Sequence, residues 1–349
     1  MVRLACAALL RLRLVPWLVL VPGWAAGAPA QPFDPGRLGP AQLAIVVNDA
    51  DPASVAVAAY YRERRAIPTA NVVHVRIPGK PHSLEPARFR LLKAQIDSQL
   101  GPGIQAVLMV WTAPYAVACN SITAAYTLGF DGALCRDTCG AGQPSAYFNA
   151  ASRHPFASHG MRLSMLLPTE SVAAAKELVD RGVTSGFRPV PASAYYLTTG
   201  ETARNSRAVF FPPAGRIEAK QLDIRRLQAE ALEGARDVMV YQTGKASVDK
   251  LDTVHFLPGA LADHLTSHGG DLLGGGQMSS LRWLDAGATA SYGTVSEPCN
   301  HWQKFPNPAV LLRHYLQGDS AIEAYWKSVA WPAQGLFIGE PLAAPYRRR

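Results

Sequence analysis

Residues 257–300 read LPGALADHLTSHGGDLLGGGQMSSLRWLDAGATASYGTVSEPCN, and the rest of the chain is organised around this stretch. It contains two histidines, two short glycine runs and a Glu-Pro-Cys-Asn turn. The glycines at 269–270 and 274–276 allow positive φ angles and close approach of backbones, which ordinary core segments seldom need. Polar residues between such glycines and apolar runs usually lie on loops beside a cleft. The stretch therefore predicts where a site lies, without identifying a reaction or a ligand.

Two secondary structures are compatible with residues 259–267 of this stretch. As a helix, the segment would place His264 and His268 one turn apart; as a strand, it would end at Thr266 and Ser267. We prefer the strand. A helix over 278–286 and a strand over 288–295 are predicted to follow.

Upstream, short apolar runs alternate with amphipathic segments. Strands are predicted over 43–47, 71–77 and 105–111, with helices beginning at Asp51-Pro52 and spanning 84–100. This alternation predicts an α/β fold with a doubly wound, mostly parallel sheet and helices on both faces. No G-x-G-x-x-G follows the first strand, so we expect no dinucleotide site and no cofactor.

The pattern loosens over residues 112–191, where cysteines, aromatic residues and prolines accumulate. We interpret this stretch as an insertion stapled by its own disulfide, with one helix over 169–180 capped by Thr169 or Ser171. Beyond it the regular pattern resumes. Strands are predicted over 194–198, 207–211, 237–242 and 336–338, and helices over 219–233, 308–316 and 320–329.

The first thirty residues have the features of a secretory signal peptide. Three arginines precede an apolar run at 14–21, and Ala28-Pro29-Ala30 offers small residues for cleavage before Gln31. The run is shorter than the roughly 20 residues of a membrane span, so we expect none after cleavage. The alternative is an uncleaved anchor. Residues 31–349 would form a single domain located in the periplasm or outside the cell.

Removal of three arginines lowers the formal charge from +8 to +5, and the remaining basic residues are scattered. Nucleic-acid-binding proteins usually concentrate such residues on one face, so no nucleic-acid partner is expected. The predicted partner is instead an envelope or extracellular ligand.

Four cysteines remain after cleavage, and an oxidising compartment favours their pairing. We predict two structural disulfides rather than a metal site, although the spacing does not choose among the three connectivities. Whether Cys299 is paired or a free thiol stays open. The four candidates are Cys119, Cys135, Cys139 and Cys299.

Ligands of open parallel sheets bind beyond the carboxyl ends of the strands. This rule gathers Asn48, Asp49 and residues 112–115, 242–245, 266–270 and 297–300. The alternative is that several of them only form turns. The ligand-binding candidates among them are Lys245, Thr266, Ser267, His268, Glu297 and Asn300.

The same edge also offers residues that could be catalytic or bind a metal. His268 and Cys299 could act as base and nucleophile of a cysteine hydrolase or peptidase. Asp263, His264, His268 and Glu297 could bind a metal, but no Glu follows His264 as in HExxH, and no metal is expected. A serine triad is not expected, because no G-x-S-x-G turn is present.

Several motifs resemble an uncharacterised family of exported bacterial proteins found in genomes that encode exosortase. They are VVNDADPASVAVAAYYRERRAIPTANVV (46–73), ADHLTSHGG (262–270), SYGTVSEPCN (291–300), KFPNPAVLLRHYLQG (304–318) and EAYWKSVAWPAQGLFIGEPLAAPY (323–346). The resemblance covers nearly all of the predicted mature chain and implies export, but no activity.

More remotely, the layout resembles the caspase-like fold of gingipain-type cysteine peptidases. VMVYQTGKAS (238–247) matches the segment that carries the catalytic His, and ALADHLTSHGG (260–270) the segment that carries the catalytic Cys. The later elements match AGATASYGTV (286–295) and IGEP (338–341). Thr243-Gly244-Lys245 and Thr266-Ser267 stand at the two catalytic positions, so the resemblance implies a peptidase-like scaffold without its dyad. Lys245 could then offer a positive charge to an anionic ligand.

Overall fold

A computed structural model describes residues 37–186 and 190–347. Within these ranges the chain forms one eleven-stranded sheet, a small three-stranded sheet and eight α-helices. The strands are β1 (Leu43–Asn48), β2 (Val72–Val75), β3 (Ser83–Leu84), β4 (Ala106–Val110), β5 (Ala116–Val117), β6 (Asn120–Ser121), β7 (Leu163–Leu167), β8 (Ala192–Thr198), β9 (Gly215–Ile217), β10 (Leu222–Gln228), β11 (Val238–Gly244), β12 (Phe256–Leu265), β13 (Ala290–Thr294) and β14 (Gly335–Gly339). The helices are α1 (Pro52–Arg65), α2 (Pro86–Asp97), α3 (Ile122–Leu128), α4 (Pro155–His159), α5 (Val172–Thr184), α6 (Leu281–Asp285), α7 (Pro308–Leu316) and α8 (Ala321–Ser328).

The large sheet has the order β2-β1-β4-β7-β14-β13-β12-β11-β8-β10-β9. Strands β1, β2, β4 and β7 are parallel to one another, as are β8, β10, β11, β12 and β13. Strand β14 joins the two sets and is antiparallel to β13, while β9 is antiparallel to β10. The predicted fold class, a mostly parallel α/β sheet with a cysteine-containing insertion, is confirmed.

The beginning of α1 shows how local sequence sets an element. Asp51 lies before the helix with extended φ and ψ, and its carboxylate accepts a hydrogen bond of 3.1 Å from the Ala53 amide. Pro52 occupies the first turn, where its missing N–H costs nothing. The helix ends where Ala66 adopts a φ of +51°. The prediction of a helix beginning at Asp51-Pro52 is confirmed.

Two predicted elements after residue 200 are wrong. The strand expected over 207–211 is a 3₁₀ turn, Ala208–Phe210. The helix expected over 219–233 is instead the strand β10, which pairs with β8 and with the short β9. Helix-favouring residues at 225–233 suggested the helix, but Leu222 and Ile224 are buried with the more exposed Asp223 between them, which is the period of a strand.

The irregular stretch at 112–191 contains more of the main sheet than the sequence suggested. Strand β7, which was not predicted, lies between β4 and β14, with all five residues buried. The expected helix is α5, and the Ser171 hydroxyl caps it by accepting a 3.2 Å bond from the Ala174 amide. The first half of the stretch carries β5, β6, α3 and the Cys119–Cys135 disulfide.

The predicted signal peptide and its cleavage before Gln31 lie outside the described residues. Over 37–186 and 190–347, no helix is both long and apolar enough to span a bilayer.

Candidate functional site

Strands β11 and β12 are parallel neighbours, which brings two of the predicted site segments together. In their register Gln242 is opposite Asp263, Thr243 is opposite His264, and Gly244 is opposite Leu265. The segment after β11 and the segment after β12 therefore leave the sheet at the same edge. The strand interpretation of residues 259–267 is confirmed, and the helical alternative is wrong.

Loops that follow other strands reach the same edge. The Tyr115 hydroxyl, after β4, donates a hydrogen bond of 2.5 Å to Asp271, after β12. The Ser296 hydroxyl, after β13, donates to the Cys119 carbonyl at 2.7 Å. The His82 and Tyr115 rings lie 5.4 Å apart, so the chain after β2 also contributes. These contacts place segments after β2, β4, β12 and β13 around one surface.

Asn48 and Asp49 behave as turn residues. The Asn48 side chain accepts hydrogen bonds from the Ile77 and Ala50 amides and donates to the Ile77 carbonyl, which satisfies the turn after β1. Asp49 is exposed and contacts the His74 ring nitrogen at 2.8 Å. The turn-forming alternative accounts for both residues.

The first glycine run packs backbone against backbone. A Cβ atom at Gly270 would lie 2.6 Å from the Gly293 carbonyl oxygen, and the Gly270 amide donates to the Thr294 carbonyl at 2.8 Å. The loop after β12 is thereby fixed to the end of β13. Gly275 and Gly276 differ, because the space around their Cβ positions is open.

Gln277 orders the turn that follows β12. Its side-chain oxygen accepts hydrogen bonds from the Thr266 hydroxyl at 2.6 Å and the His268 amide at 2.9 Å. Arg204 approaches the same Thr266 hydroxyl at 3.3 Å and pairs with Glu201 at 2.7 Å. Neither residue was predicted from the sequence. The position of Gln277 directly after the second glycine run could have indicated it, whereas no local sequence feature marks Arg204.

The end of β11 is covered by the chain itself. The backbone carbonyl of Arg204 occupies the space that a Cβ atom at Gly244 would need, and the Thr199 hydroxyl donates to the Gly244 carbonyl at 2.6 Å. A 3₁₀ turn, Thr202–Asn205, therefore lies over the position where the resemblance implies an imidazole. Only Gly fits there, because any side chain would collide with the Arg204 backbone.

Lys245 is not free to offer its charge. Its ammonium group lies 3.2 Å from Glu230 and 3.3 Å from Asp249, and its side chain is 15% exposed. Burial lowers the pKa of Lys245, but hydrogen bonds and Coulomb attraction from the two carboxylates outweigh that effect, so the pKa is raised. The two carboxylates, one from the segment after β10 and one from the loop after β11, neutralise the lysine, so it offers no free positive charge to an anionic ligand.

A buried ion pair lies beneath the edge. Arg207 pairs with Asp263 and also donates to the Thr243 carbonyl at 2.9 Å and the Pro306 carbonyl at 3.2 Å. Gln242 donates to the other carboxylate oxygen at 2.9 Å. The pair therefore connects the ends of β11 and β12 to the segment before α7, and Asp263 is unavailable to a metal.

His264 is a structural histidine. The Trp283 indole donates to its Nδ1 at 2.8 Å, and its Nε2 lies 3.1 Å from the Met278 carbonyl, which defines a neutral ring protonated at Nε2. Burial, followed by the positive charge of Arg207, lowers the pKa of His264 to about 3. Within the described ranges, no three His, Cys, Asp or Glu side chains are grouped closely enough to hold a metal ion.

The predicted cysteines form two disulfides, Cys119–Cys135 and Cys139–Cys299. Cys299 is therefore paired, which is contrary to the alternative that uses it as a nucleophile with His268. The Glu297 carboxylate accepts a 2.8 Å hydrogen bond from the Cys299 amide and shapes this turn.

Two further residues belong to the same turn region. Asn300 is exposed at a φ of +58°. Lys304, which sequence reasoning missed, donates to the Thr138 carbonyl at 2.6 Å, and burial lowers its pKa to about 8. The Lys304 side chain thus holds the segment that carries Cys139 through the carbonyl of its neighbour Thr138.

A polar depression of about 270 Å³ remains open at the edge. It is lined by His268, Asp271, Gly274, Gly276 and Gln277. Among the six predicted ligand-binding residues, only His268 lines it; Thr266 is buried behind it. We refer to this surface as the edge depression.

No protein-family model matches the chain, and no curated protein matches it significantly. Among solved structures it is similar to the Arg-specific cysteine proteinase gingipain R, with 11% identity and a TM-score of 0.49 over 91% of this chain and 80% of that one. It is also similar to the complex of the pro- and mature domains of RgpB from Porphyromonas gingivalis, with 10% identity and a TM-score of 0.40 over 87% of this chain and 79% of that one. At these identities no residue role is transferred, and the site rests on this chain's own geometry.

Proposed function

We propose that this chain is an exported, disulfide-stapled scaffold of the caspase-like kind that is not a peptidase and binds an envelope or extracellular ligand at the edge depression. The observation that carries the proposal is the content of the two strand ends. Where the resemblance implies a catalytic histidine and cysteine, Thr243-Gly244-Lys245 stands at the end of β11 and Thr266-Ser267 directly follows β12.

The chemistry of these residues supports a non-catalytic role. A hydroxyl nucleophile needs a general base within hydrogen-bond reach. The Thr266 hydroxyl is buried and donates to Gln277 instead. His264 has both ring nitrogens engaged by Trp283 and Met278, so it has no free lone pair for a proton. Cys299 would have to be a thiolate to react, and its sulfur is bonded to Cys139.

The edge depression instead offers hydrogen-bonding groups on a preformed frame. The His268 ring and the glycine backbones at 274 and 276 are present beside Asp271, whose position is fixed by Tyr115. The Gly270–Gly293 contact and the Gln277 hydrogen bonds hold the loop in place before a ligand arrives, which reduces the ordering cost of binding. These groups support recognition of a polar ligand.

A cleavage assay tests the non-peptidase claim. We expect the purified mature protein to leave a fluorogenic peptide library uncleaved, with and without mild reductant. Cleavage that Cys299→Ala abolishes would establish the cysteine peptidase alternative with His268 and Cys299 instead.

A binding assay tests the ligand claim. Cell-envelope fractions and purified extracellular polysaccharide are each titrated with labelled protein. His268→Ala should weaken retention, whereas His159→Ala, which removes an exposed histidine from α4, should not. Equal retention of both variants would remove the edge depression from the proposal.

A further inference from the structure

A second cavity, of about 570 Å³, shares no lining residue with the edge depression. It lies beside the end of α7 and the beginning of β10. Its walls include Arg37, Arg153, Lys220, His314, Asp319, Lys327 and Tyr346. We call it the basic cavity. Its volume is within the range of about 300–1,000 Å³ that small-molecule sites occupy.

The charges around the basic cavity are unequal. Four side chains that are positive at neutral pH, from two arginines and two lysines, line it together with one carboxylate, that of Asp319. Walls of one sign concentrate the field inside a cleft and attract ions of the opposite sign. Charge alone therefore favours an anion in this cavity.

The single carboxylate is already neutralised by its neighbours. Asp319 lies 2.7 Å from the Lys327 ammonium and 3.0 Å from the Nδ1 atom of His314. Burial raises the pKa of Asp319, but these two partners outweigh it and hold the pKa below its ordinary value. The His314 ring is also held at Nε2 by Asn149 at 3.2 Å. The hydrogen bonds hold Asp319, Lys327 and His314 in place at the bottom of the cavity, and the neutralised carboxylate does little to repel an anion.

Two polar groups of the walls have no partner among the residues that the structure describes. Arg153 is half-buried, and its guanidinium makes no described hydrogen bond or ion pair. The Tyr346 hydroxyl is also without a partner although the residue is only 3% exposed. A buried hydroxyl without a hydrogen bond costs free energy that a ligand oxygen would recover. Both groups are donors, which matches oxygen acceptors on a ligand.

We propose that the basic cavity binds a multiply charged oxyanion, through phosphate or carboxylate groups that Arg153 recognises. A guanidinium presents paired N–H donors whose spacing fits the two oxygens of either group. The Tyr346 hydroxyl, which has no partner, supplies a further donor. This site is independent of the edge depression and of the proposed function.

The test is isothermal titration of the full mature protein at low ionic strength. Pyrophosphate and citrate are the two probes, and glucose is the neutral control. Arg153→Gln removes the unpartnered guanidinium. Arg90→Gln, on the exposed face of α2, is the matched control, because it changes the net charge equally at a position outside the cavity. Neither arginine has a described partner, so both variants should have the melting temperature of the wild type.

We expect saturable binding of at least one probe by the wild type and by Arg90→Gln, and none of glucose. Arg153→Gln should bind about tenfold or more weakly, because one charge-assisted bidentate contact is lost. Tighter binding of pyrophosphate than of citrate would identify phosphate as the preferred group, and the reverse would identify carboxylate. Absence of saturable binding by the wild type, or equal affinities of the two variants, would overturn the proposal.

Discussion

Replacing Arg207 by methionine should produce a large loss of stability, because it leaves the Asp263 carboxylate buried without its charge partner. Both side chains are 1% exposed. Removing one partner of such a pair costs about 3–5 kcal/mol. The hydrogen bonds to the Thr243 and Pro306 carbonyls are lost in the same step.

This cost converts into a melting shift. An unfolding entropy of about 2.1 cal/mol/K per residue over roughly 310 residues gives about 0.65 kcal/mol/K, so we expect Arg207→Met to melt about 5–8 °C below the wild type. Calorimetry at pH 7 measures the shift. Arg216→Met is the control, since Arg216 makes ion pairs at the exposed edge with Glu218 and Asp223, and such pairs contribute little.

A double variant separates charge burial from general packing damage. Arg207→Met combined with Asp263→Leu removes both charges, and the resulting apolar pair should recover at least half of the loss. A free energy of unfolding of Arg207→Met within about 1 kcal/mol of the wild type would contradict a buried, uncompensated charge. So would a loss in the double variant equal to the sum of the two single losses.

Three further predictions concern the same edge. Gly270→Ala should lower the melting temperature measured by circular dichroism more than Gly275→Ala, because only its Cβ would collide with the Gly293 carbonyl. Because the pKa of His264 is lowered to about 3, its imidazole is protonated in the unfolded chain but neutral in the folded protein between pH 6.5 and about 3. The stability contributed by this residue is therefore complete above pH 6.5 and falls by about 1.4 kcal/mol per pH unit below it. Urea titrations at several pH values should show that the free energy of unfolding of His264→Gln depends less steeply on pH than that of the wild type. An equally steep pH dependence would contradict this. Replacing Cys139 and Cys299 together by serine should cost about 2–4 kcal/mol in urea titrations, and an unchanged midpoint would argue against the bridge.

The sequence predicted the parts of the fold that local patterns determine. Continuous apolar runs identified β1, β4 and β11, and the Asp51-Pro52 pair identified the beginning of α1. The glycine pair at 269–270 indicated a close backbone approach, which the contact with Gly293 confirms. These features depend on neighbours along the chain, so sequence alone could reveal them.

The missed features depend on residues far apart in the chain. Strand β10 looked helical because its exposed half carries helix-favouring residues, and only its pairing with β8 makes it a strand. Strand β7 was missed because it lies in the irregular stretch at 112–191, after its three cysteines. The neutralised Lys245, the Arg204 cover over β11 and the Cys139–Cys299 connection join segments that no spacing rule associates.

The most direct test of the central claim is a non-reducing peptide map of the exported protein after alkylation of free thiols. We expect linked peptides that join Cys119 to Cys135 and Cys139 to Cys299, with no alkylated cysteine in the mature chain. Alkylated Cys299 in the native protein would contradict it, because a free thiol would then be available beside the strand ends.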